Sequence, residues 1–204
     1  MGVRSTGSQH PTTTEADGHL LEYFRQNFGG GGGGSIPAPS APLEGLTASG
    51  GFVNDYTESG KVYRAHIFTA NGQFQVTSIG DFGSNVEYLV VGGGGGGGND
   101  GGGGGGAGGV KSNHPGMPSP RRGSAFPVST SPGAYPVYVG QGGRGGYHYS
   151  PGDPGQDGEP SRFGPTVVVL GGGGGGGNSA SGRGGGSGGG GGQGSSHPGG
   201  ATPD

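Results

Sequence analysis

Two uninterrupted runs of seven glycines, residues 92–98 and 171–177, constrain this chain more than any other feature of its sequence. A glycine run has no side chains to bury, and glycine loses more backbone freedom on folding than any other residue. Such a run is therefore either a flexible linker or is held in place by backbone hydrogen bonds to its surroundings. For a single run, both interpretations stay open.

The sequence around the two runs repeats, which favours the ordered interpretation. Residues 87–91 (EYLVV) lead into the first run, residues 166–170 (TVVVL) lead into the second, and an asparagine follows each run. The runs start 79 residues apart (171 − 92). Because a linker needs neither a fixed length nor a repeated entry strand, we expect two buried strands that feed ordered glycine tracts.

The composition limits the size of any hydrophobic core. Of the 204 residues, 62 are glycine and 16 are proline, and 25% are hydrophobic, which is typical of fibrous or disordered sequences. We therefore expect one small core, no enzyme activity and no cofactor. The six histidines lack zinc-ligand spacing. No apolar stretch is long enough for a membrane span, and a net charge of −3 gives no bulk attraction for nucleic acid.

Residues 1–46 are predicted to be an N-terminal attachment region, made of a polar tail, a short amphipathic helix over residues 18–28 and a Gly/Pro linker. The apolar residues of the helix follow helical spacing: Leu20, Leu21, Tyr23, Phe24 and Phe28. A helix this short is marginal alone. An apolar face without an obvious partner in the chain favours docking to another protein over a frayed tail.

Residues 47–91 are predicted to be a small antiparallel β domain of three to five strands. Residues 61–70 and 73–78 alternate between apolar and polar side chains, and Asn71-Gly72 between them is a strong hairpin signal. Residues 86–91 are predicted to form a further strand.

Residues 92–204 are predicted to be a glycine-rich domain of packed polyglycine-II-like helices with exposed loops. The fold class is therefore mainly β with fibrous character. A polyglycine helix has three residues per turn and no internal hydrogen bonds, so neighbouring helices can bond to each other. The tracts begin and end at Gly92 and Gly98, Gly101 and Gly106, and Gly171 and Gly177, with a further tract over residues 182–192. Two short strands are expected within residues 126–140.

The sequence resembles the glycine-rich domains of bacteriophage tail fibres and adhesins, especially those of marine cyanophage structural proteins. Residues 85–98 (NVEYLVVGGGGGGG), 135–146 (YPVYVGQGGRGG) and 166–177 (TVVVLGGGGGGG) carry the resemblance, in the order of the family. It implies a non-enzymatic virion protein of the tail or fibre that contributes to host attachment. It also implies a homo-oligomer, with a trimer favoured. The implied partners are other virion proteins and either a host cell-surface polysaccharide or an outer-membrane protein.

By position in the family, residues 111–123 and 147–163 are candidate contact loops. Their receptor or partner contact residues would be Lys111, His114, Arg121, Arg122, Tyr147, His148, Tyr149, Arg162 and Phe163. These residues contact a receptor, a neighbouring subunit or only solvent, and the sequence leaves this open. The carboxylates of Asp153, Asp157 and Glu159 are interpreted as part of a solvated loop.

Two other functions stay open on the sequence. The first is a capsid or tail decoration protein without receptor binding. The second is an RGG-type nucleic-acid binder with disordered glycine tracts, for which Arg144-Gly-Gly and Arg183-Gly-Gly are a weak signal in an acidic chain.

Overall fold

The computed structural model describes residues 2–6, 42–147, 152–194 and 196–202, and this part of the chain is mainly β, without helices. The amphipathic helix predicted over residues 18–28 lies outside the described residues. The strands are β1 (Gly2–Thr6), β2 (Thr47–Ser49), β3 (Phe52–Glu58), β4 (Lys61–Ile67), β5 (Gly72–Ser78), β6 (Asn85–Val91), β7 (Val110–Ser112), β8 (Phe126–Pro127), β9 (Ala134–Tyr138), β10 (Ser161–Phe163) and β11 (Val167–Val169).

The strands form two sheets with antiparallel pairing. The first sheet has the order β3-β4-β1-β6-β7, and β8 also pairs with β6. The second has the order β11-β10-β9-β5-β2. Strands from both sides of residue 92 share these sheets, so the glycine-rich region completes the core that residues 47–91 begin.

The hydrophobic core joins the two sheets. Tyr88 of β6 meets Phe163 of β10 with ring centroids 6.2 Å apart, and His66 of β4 meets Phe74 of β5 at 5.0 Å. Fully burying one such apolar side chain contributes about 1.5–3 kcal/mol. The buried hydrophobic residues are Leu46, Phe68, Phe74, Val76, Val86, Tyr88, Val90, Phe126, Val128, Val137, Phe163, Val167 and Val169.

The hairpin predicted at Asn71-Gly72 is wrong, because β4 and β5 belong to different sheets. Phe68 turns into the core at 3% exposure, and the Asn71 side chain accepts a hydrogen bond from the Val139 backbone (2.8 Å). The chain therefore crosses between sheets at this point. A hairpin forms instead between β3 and β4, where Ser59 and Gly60 have φ of 51° and 74°. Two positive φ values are what a tight two-residue hairpin loop requires.

The N-terminal residues also differ from the prediction. Residues 2–6, interpreted as part of a polar tail, form strand β1 between β4 and β6. Gly2 pairs with Ile67 on one side and with Leu89 on the other.

The described residues from 92 onwards include eight extended segments, which we call the glycine lattice. They are neither helices nor strands, so the predicted polyglycine helices are not seen as elements of the structure. Each third residue of a segment bonds to the same neighbour: the N–H groups of Gly92, Gly95 and Gly98 donate to carbonyls of one facing segment at 2.8–2.9 Å. The segments are g1 (92–98), g2 (103–109), g3 (141–146), g4 (153–159), g5 (171–177), g6 (180–186), g7 (187–193) and g8 (198–201).

The two seven-glycine runs, g1 and g5, lie side by side and parallel. Gly172 donates to the carbonyl of Gly93 at 2.8 Å, and Gly175 donates to that of Gly96 at 2.9 Å. Both pairs are 79 residues apart (172 − 93 and 175 − 96), which is the spacing of the sequence repeat. Equivalent positions of the repeat are thus neighbours, and the runs are ordered parts of the structure rather than linkers.

The position of a glycine in the lattice decides whether a side chain would fit there. All residues of g5 are buried, since g1, g2, g4, g6 and g7 pack around it. In g1, Gly93 and Gly96 are buried whereas Gly94 and Gly97 are exposed. A Cβ built on Gly95 would overlap the carbonyl oxygen of Gly173, whereas one built on Gly94 would meet nothing closer than 3.8 Å.

Two adjacent alanine substitutions in g1 test this arrangement. Gly95→Ala forces two backbones apart and should destabilise the protein by about 3 kcal/mol. The methyl group added by Gly94→Ala lies in open space, so this variant should change the free energy of unfolding by less than about 1 kcal/mol. Denaturant unfolding of both variants gives the comparison. Equal stabilities for the two variants would contradict the lattice.

Candidate functional site

The glycine lattice has two different ends. Strands β6, β9 and β11 lead into g1, g3 and g5, and segments g2 and g4 lead into β7 and β10, with at most two residues (139–140) between a strand and its segment. One end of the lattice is therefore joined to the sheets. The opposite end, which we call the distal end, carries the turns from g1 to g2 and from g5 to g6, the end of g3 and the start of g4.

Tyr147 is the predicted contact residue that lies at the distal end. Its side chain is 61% exposed, and the Arg144 guanidinium carbon lies 3.8 Å from its ring centroid. The Tyr147 backbone N–H donates to the Asp153 carboxylate at 2.8 Å, and its carbonyl accepts a hydrogen bond from the Asn99 side-chain amide. An exposed ring whose backbone is fixed in this way can stack on a sugar or on a protein surface.

The distal turns bring the two asparagines of the sequence repeat to the same end. Asn99 donates its backbone N–H to the Asp153 carbonyl at 3.1 Å. Asp100 and Gly101 follow with φ of 54° and 75°, which reverses the chain into g2. The Asn178 carbonyl oxygen lies beside Gly152. The sequence repeat marked both asparagines, but it did not indicate that Asn99 would hold Tyr147.

The predicted contact loop over residues 111–123 lies on the sheets instead. The Asn113 side chain accepts from the Tyr88 N–H and donates to the Val86 carbonyl, both at 2.9 Å, so it pairs with β6 as a strand backbone would. The Tyr88 hydroxyl donates to the Ser124 carbonyl at 3.3 Å, and burial raises the pKa of this phenol. His114, Arg121 and Arg122 are exposed on this loop, and Lys111 is half-buried in the middle of β7.

Residues 147–163 are not one loop, because within this range residues 153–159 form g4 and residues 161–163 form β10. Arg162 is exposed and pairs with Tyr138 and Val168 across the second sheet. Phe163 is fully buried, with its ring centroid 4.6 Å from that of Phe126. Its assignment as a contact residue is therefore wrong. Alternation along β10, with Ser161 and Phe163 inward, was the missed signal.

The structure does not gather the predicted contact residues into one site. Tyr147 lies at the distal end, whereas the 111–123 loop and Arg162 lie on the sheets. Seven other predicted residues lie outside the described part of the chain: His148 and Tyr149, and the attachment residues Leu20, Leu21, Tyr23, Phe24 and Phe28.

The three carboxylates interpreted as a solvated loop cap backbone N–H groups that bond to no backbone carbonyl among the described residues. Asp153 accepts from Tyr147 (2.8 Å), Asp157 from Gly174 (2.8 Å) and Glu159 from Gln141 (3.3 Å). Edge residues lack a neighbouring segment on one side, and an unpaired backbone N–H costs free energy when water is excluded. The sequence could not indicate these roles, because only the lattice shows which N–H groups lack a carbonyl.

Two further features of the described residues bear on possible chemistry. The Arg64 guanidinium donates to both oxygens of Asp55 at 2.7 Å and lowers the pKa of that carboxyl, but the pair is exposed and contributes little stability. In this part of the chain, His, Asp and Glu side chains form no group of three that could hold a metal ion, and no helix could cross a membrane.

Comparison with known sequences identifies the family of this chain. A family described as a glycine-rich domain matches residues 69–203, which include the whole lattice and strands β5 to β11. The match covers well over half of the chain, so the chain belongs to this glycine-rich domain family. No curated protein and no solved structure matches the chain.

The Asp153 cap gives a prediction for the distal end. Asp153→Ala should remove about 1 kcal/mol of local stability, because the Tyr147 N–H loses a carboxylate acceptor. Amide exchange at Tyr147, measured by NMR, should become roughly fivefold faster. Asp153→Asn keeps an oxygen acceptor and is the control, with a smaller expected effect. Unchanged exchange in the alanine variant would show that the cap does not hold Tyr147.

Proposed function

We propose that this chain is a non-enzymatic structural protein of a bacteriophage particle, tail-fibre-like, which contributes to host attachment through the distal end of its lattice. The observation that carries the proposal is the hydrogen-bonded lattice, which starts at the sheets and holds the exposed ring of Tyr147 at its far end. The resemblance of the glycine-rich sequence to tail fibres and adhesins supports the phage assignment.

Within this proposal, the lattice segments are polyglycine-II helices. The three-residue period of the hydrogen bonds supports this, because such a helix has three residues per turn and bonds only to its neighbours. The burial of Gly93 and Gly96, against the exposure of Gly94 and Gly97, follows the same period. At about 3.1 Å per residue, g1 would hold the distal end roughly 20 Å from the sheets.

The chemistry of the distal end fits a cell-surface partner. Tyr147 offers a ring for stacking, and backbone and side-chain groups of the turns can exchange hydrogen bonds with hydroxyl groups. The partner in the proposal is a host polysaccharide or an outer-membrane protein. Exposed His114, Arg121, Arg122 and Arg162 on the sheets would then contact other virion proteins.

The outer face of the first sheet supports a homo-oligomer, with a trimer as our proposal. Phe52, Ile67 and Leu89 are aligned by strand pairing and are 73%, 40% and 43% exposed. An exposed apolar row of this kind is typical of a protein–protein contact. The same row also favours the second candidate, a capsid or tail decoration protein that seats on the particle without binding the host.

The nucleic-acid alternative requires disordered glycine tracts around its Arg-Gly-Gly sites, and the described residues do not support this. The Arg144 carbonyl accepts from the Gln156 N–H, and the Arg183 N–H donates to the Gly174 carbonyl, so both Arg-Gly-Gly sites are parts of the lattice. The two guanidinium groups lie against Tyr147 and Asp157.

The virion assignment is tested by peptide mass spectrometry of density-purified phage particles from a lysate that contains this chain. We expect peptides of the chain to co-purify with the major capsid protein at a constant ratio through a second gradient. Loss of the chain from the particle fraction would overturn the assignment.

Adsorption separates the fibre from the decoration protein. Particles with Tyr147→Ala should adsorb to host cells about tenfold more slowly, since a truncated aromatic contact residue commonly costs more than 1 kcal/mol. Tyr138→Ala is the matched control, because Tyr138 is 50% exposed on the second sheet. Equal adsorption of wild type and Tyr147→Ala particles would favour the decoration protein.

A further inference from the structure

Among the described residues, one side of g5 has no neighbouring segment. Around g5, backbone hydrogen bonds join g4 to g1, g1 to g2, g2 to g7 and g7 to g6, and all five segments also bond to g5. Among the described residues, no backbone hydrogen bond joins g6 to g4. In the described part of the chain, the ring of segments around g5 is therefore closed except between g6 and g4.

A groove of about 350 Å³ lies at this open side. Asp157, Gly158 and Pro160 line one wall, Gly184 and Gly185 line the other, and Leu170 and Gly171 form the floor where g5 begins. Ala201 stands at the edge, with its side chain exposed. The groove lies beside the start of g5, all of whose residues are buried.

The hydrogen-bond pattern of g5 indicates what the groove lacks. Gly172 and Gly175 donate to g1, and Gly173 and Gly176 donate to g7. By the same three-residue period, the N–H groups of positions 171 and 174 face the groove.

A side chain takes the place of the missing carbonyl. The Asp157 carboxylate accepts the Gly174 N–H at 2.8 Å, and no hydrogen bond from the Gly171 N–H is found among the described residues. Arg183 lies 3.6 Å from the same Asp157 oxygen, and both side chains are about half exposed. The Asp157 carboxylate can therefore release the Gly174 N–H and stay hydrated, since it does not need to be buried elsewhere.

We propose that this groove binds one further extended, glycine-rich segment from a partner polypeptide, and that Asp157 is a displaceable cap on the site. Every other side of g5 is covered by a glycine-rich segment whose groups bond at a spacing of three residues. A Cβ built on Gly158 or on Gly171 would overlap a neighbouring carbonyl oxygen, so segments of this lattice pack with no room for side chains between them. A partner segment with glycine at its inward positions can bond at this three-residue spacing and leaves no side chain to accommodate.

Peptide binding to the full chain tests the proposal. The probe is a capped peptide with the sequence of residues 180–186 (ASGRGGG), and the control peptide replaces its glycines with alanine (ASARAAA). NMR should show that the first peptide shifts the amide signals of Gly171 and Gly174, whereas the second does not. In calorimetry, Asp157→Ala should bind the first peptide about tenfold more tightly, because no cap competes with it.

A blocking variant keeps the test independent of the cap. Ala201→Trp should fill the edge of the groove and abolish binding, whereas Ala107→Trp, at an exposed position of g2, should bind like the wild type. The proposal is overturned if neither the wild type nor Asp157→Ala binds the glycine peptide, if the alanine peptide binds equally well, or if Ala201→Trp still binds. Self-association of Asp157→Ala in sedimentation, without peptide binding, would assign the groove to a second copy and overturn the proposal.

Discussion

Backbone hydrogen bonds between neighbouring segments are the interaction on which the rest of this structure depends. A glycine run has no apolar surface to bury, and ordering each residue costs roughly 1–2 kcal/mol. Each residue of g1 and g5 therefore needs a neighbouring segment that bonds to its N–H or its carbonyl. Because successive residues of a segment face different neighbours, segments on several sides supply these bonds. A single segment would have no such support, so the tracts become ordered only as a set.

The same constraint explains where residues other than glycine occur. In g4, a Cβ on Gly155 or Gly158 would overlap the carbonyl oxygen of Gly96 or Gly93, whereas Gln156 and Glu159 are exposed. An edge segment therefore needs glycine only where it faces inward. Segment g5 is nearly surrounded and keeps glycine at all seven positions. Residues other than glycine thus occur on sides that no segment covers, although exposed positions such as Gly94 and Gly97 also keep glycine where a side chain would fit.

The sequence predicted the parts of this architecture that depend on local pattern. The entry strands β6 and β11, the equal length of the runs and the two short strands β8 and β9 all follow from residue types and spacing. The Asn71-Gly72 hairpin failed because burial of Phe68 carries the chain into the second sheet, a tertiary effect that outweighs a local turn signal. At the candidate site, Tyr147 stays a predicted contact residue. Its supports were not assigned, because Asn99 lies 48 residues away in sequence and Asp153, six residues away, was interpreted as part of a solvated loop. Phe163 was assigned as a contact residue because the alternation along β10 spans only three residues and was missed.

The sheets and the lattice act as one unit, since the strands that build the core continue into the tracts. Val90 and Val169 are buried in the core, and g1 and g5 begin within two residues of them. Core packing therefore fixes the level at which both runs start, and their equal length then brings Asn99 and Asn178 to the same end. A one-residue slip along either run would turn each N–H towards a different neighbour, because successive residues of g5 bond to different segments. The geometry around Tyr147 thus depends on the number of glycines as much as on the residues that contact it.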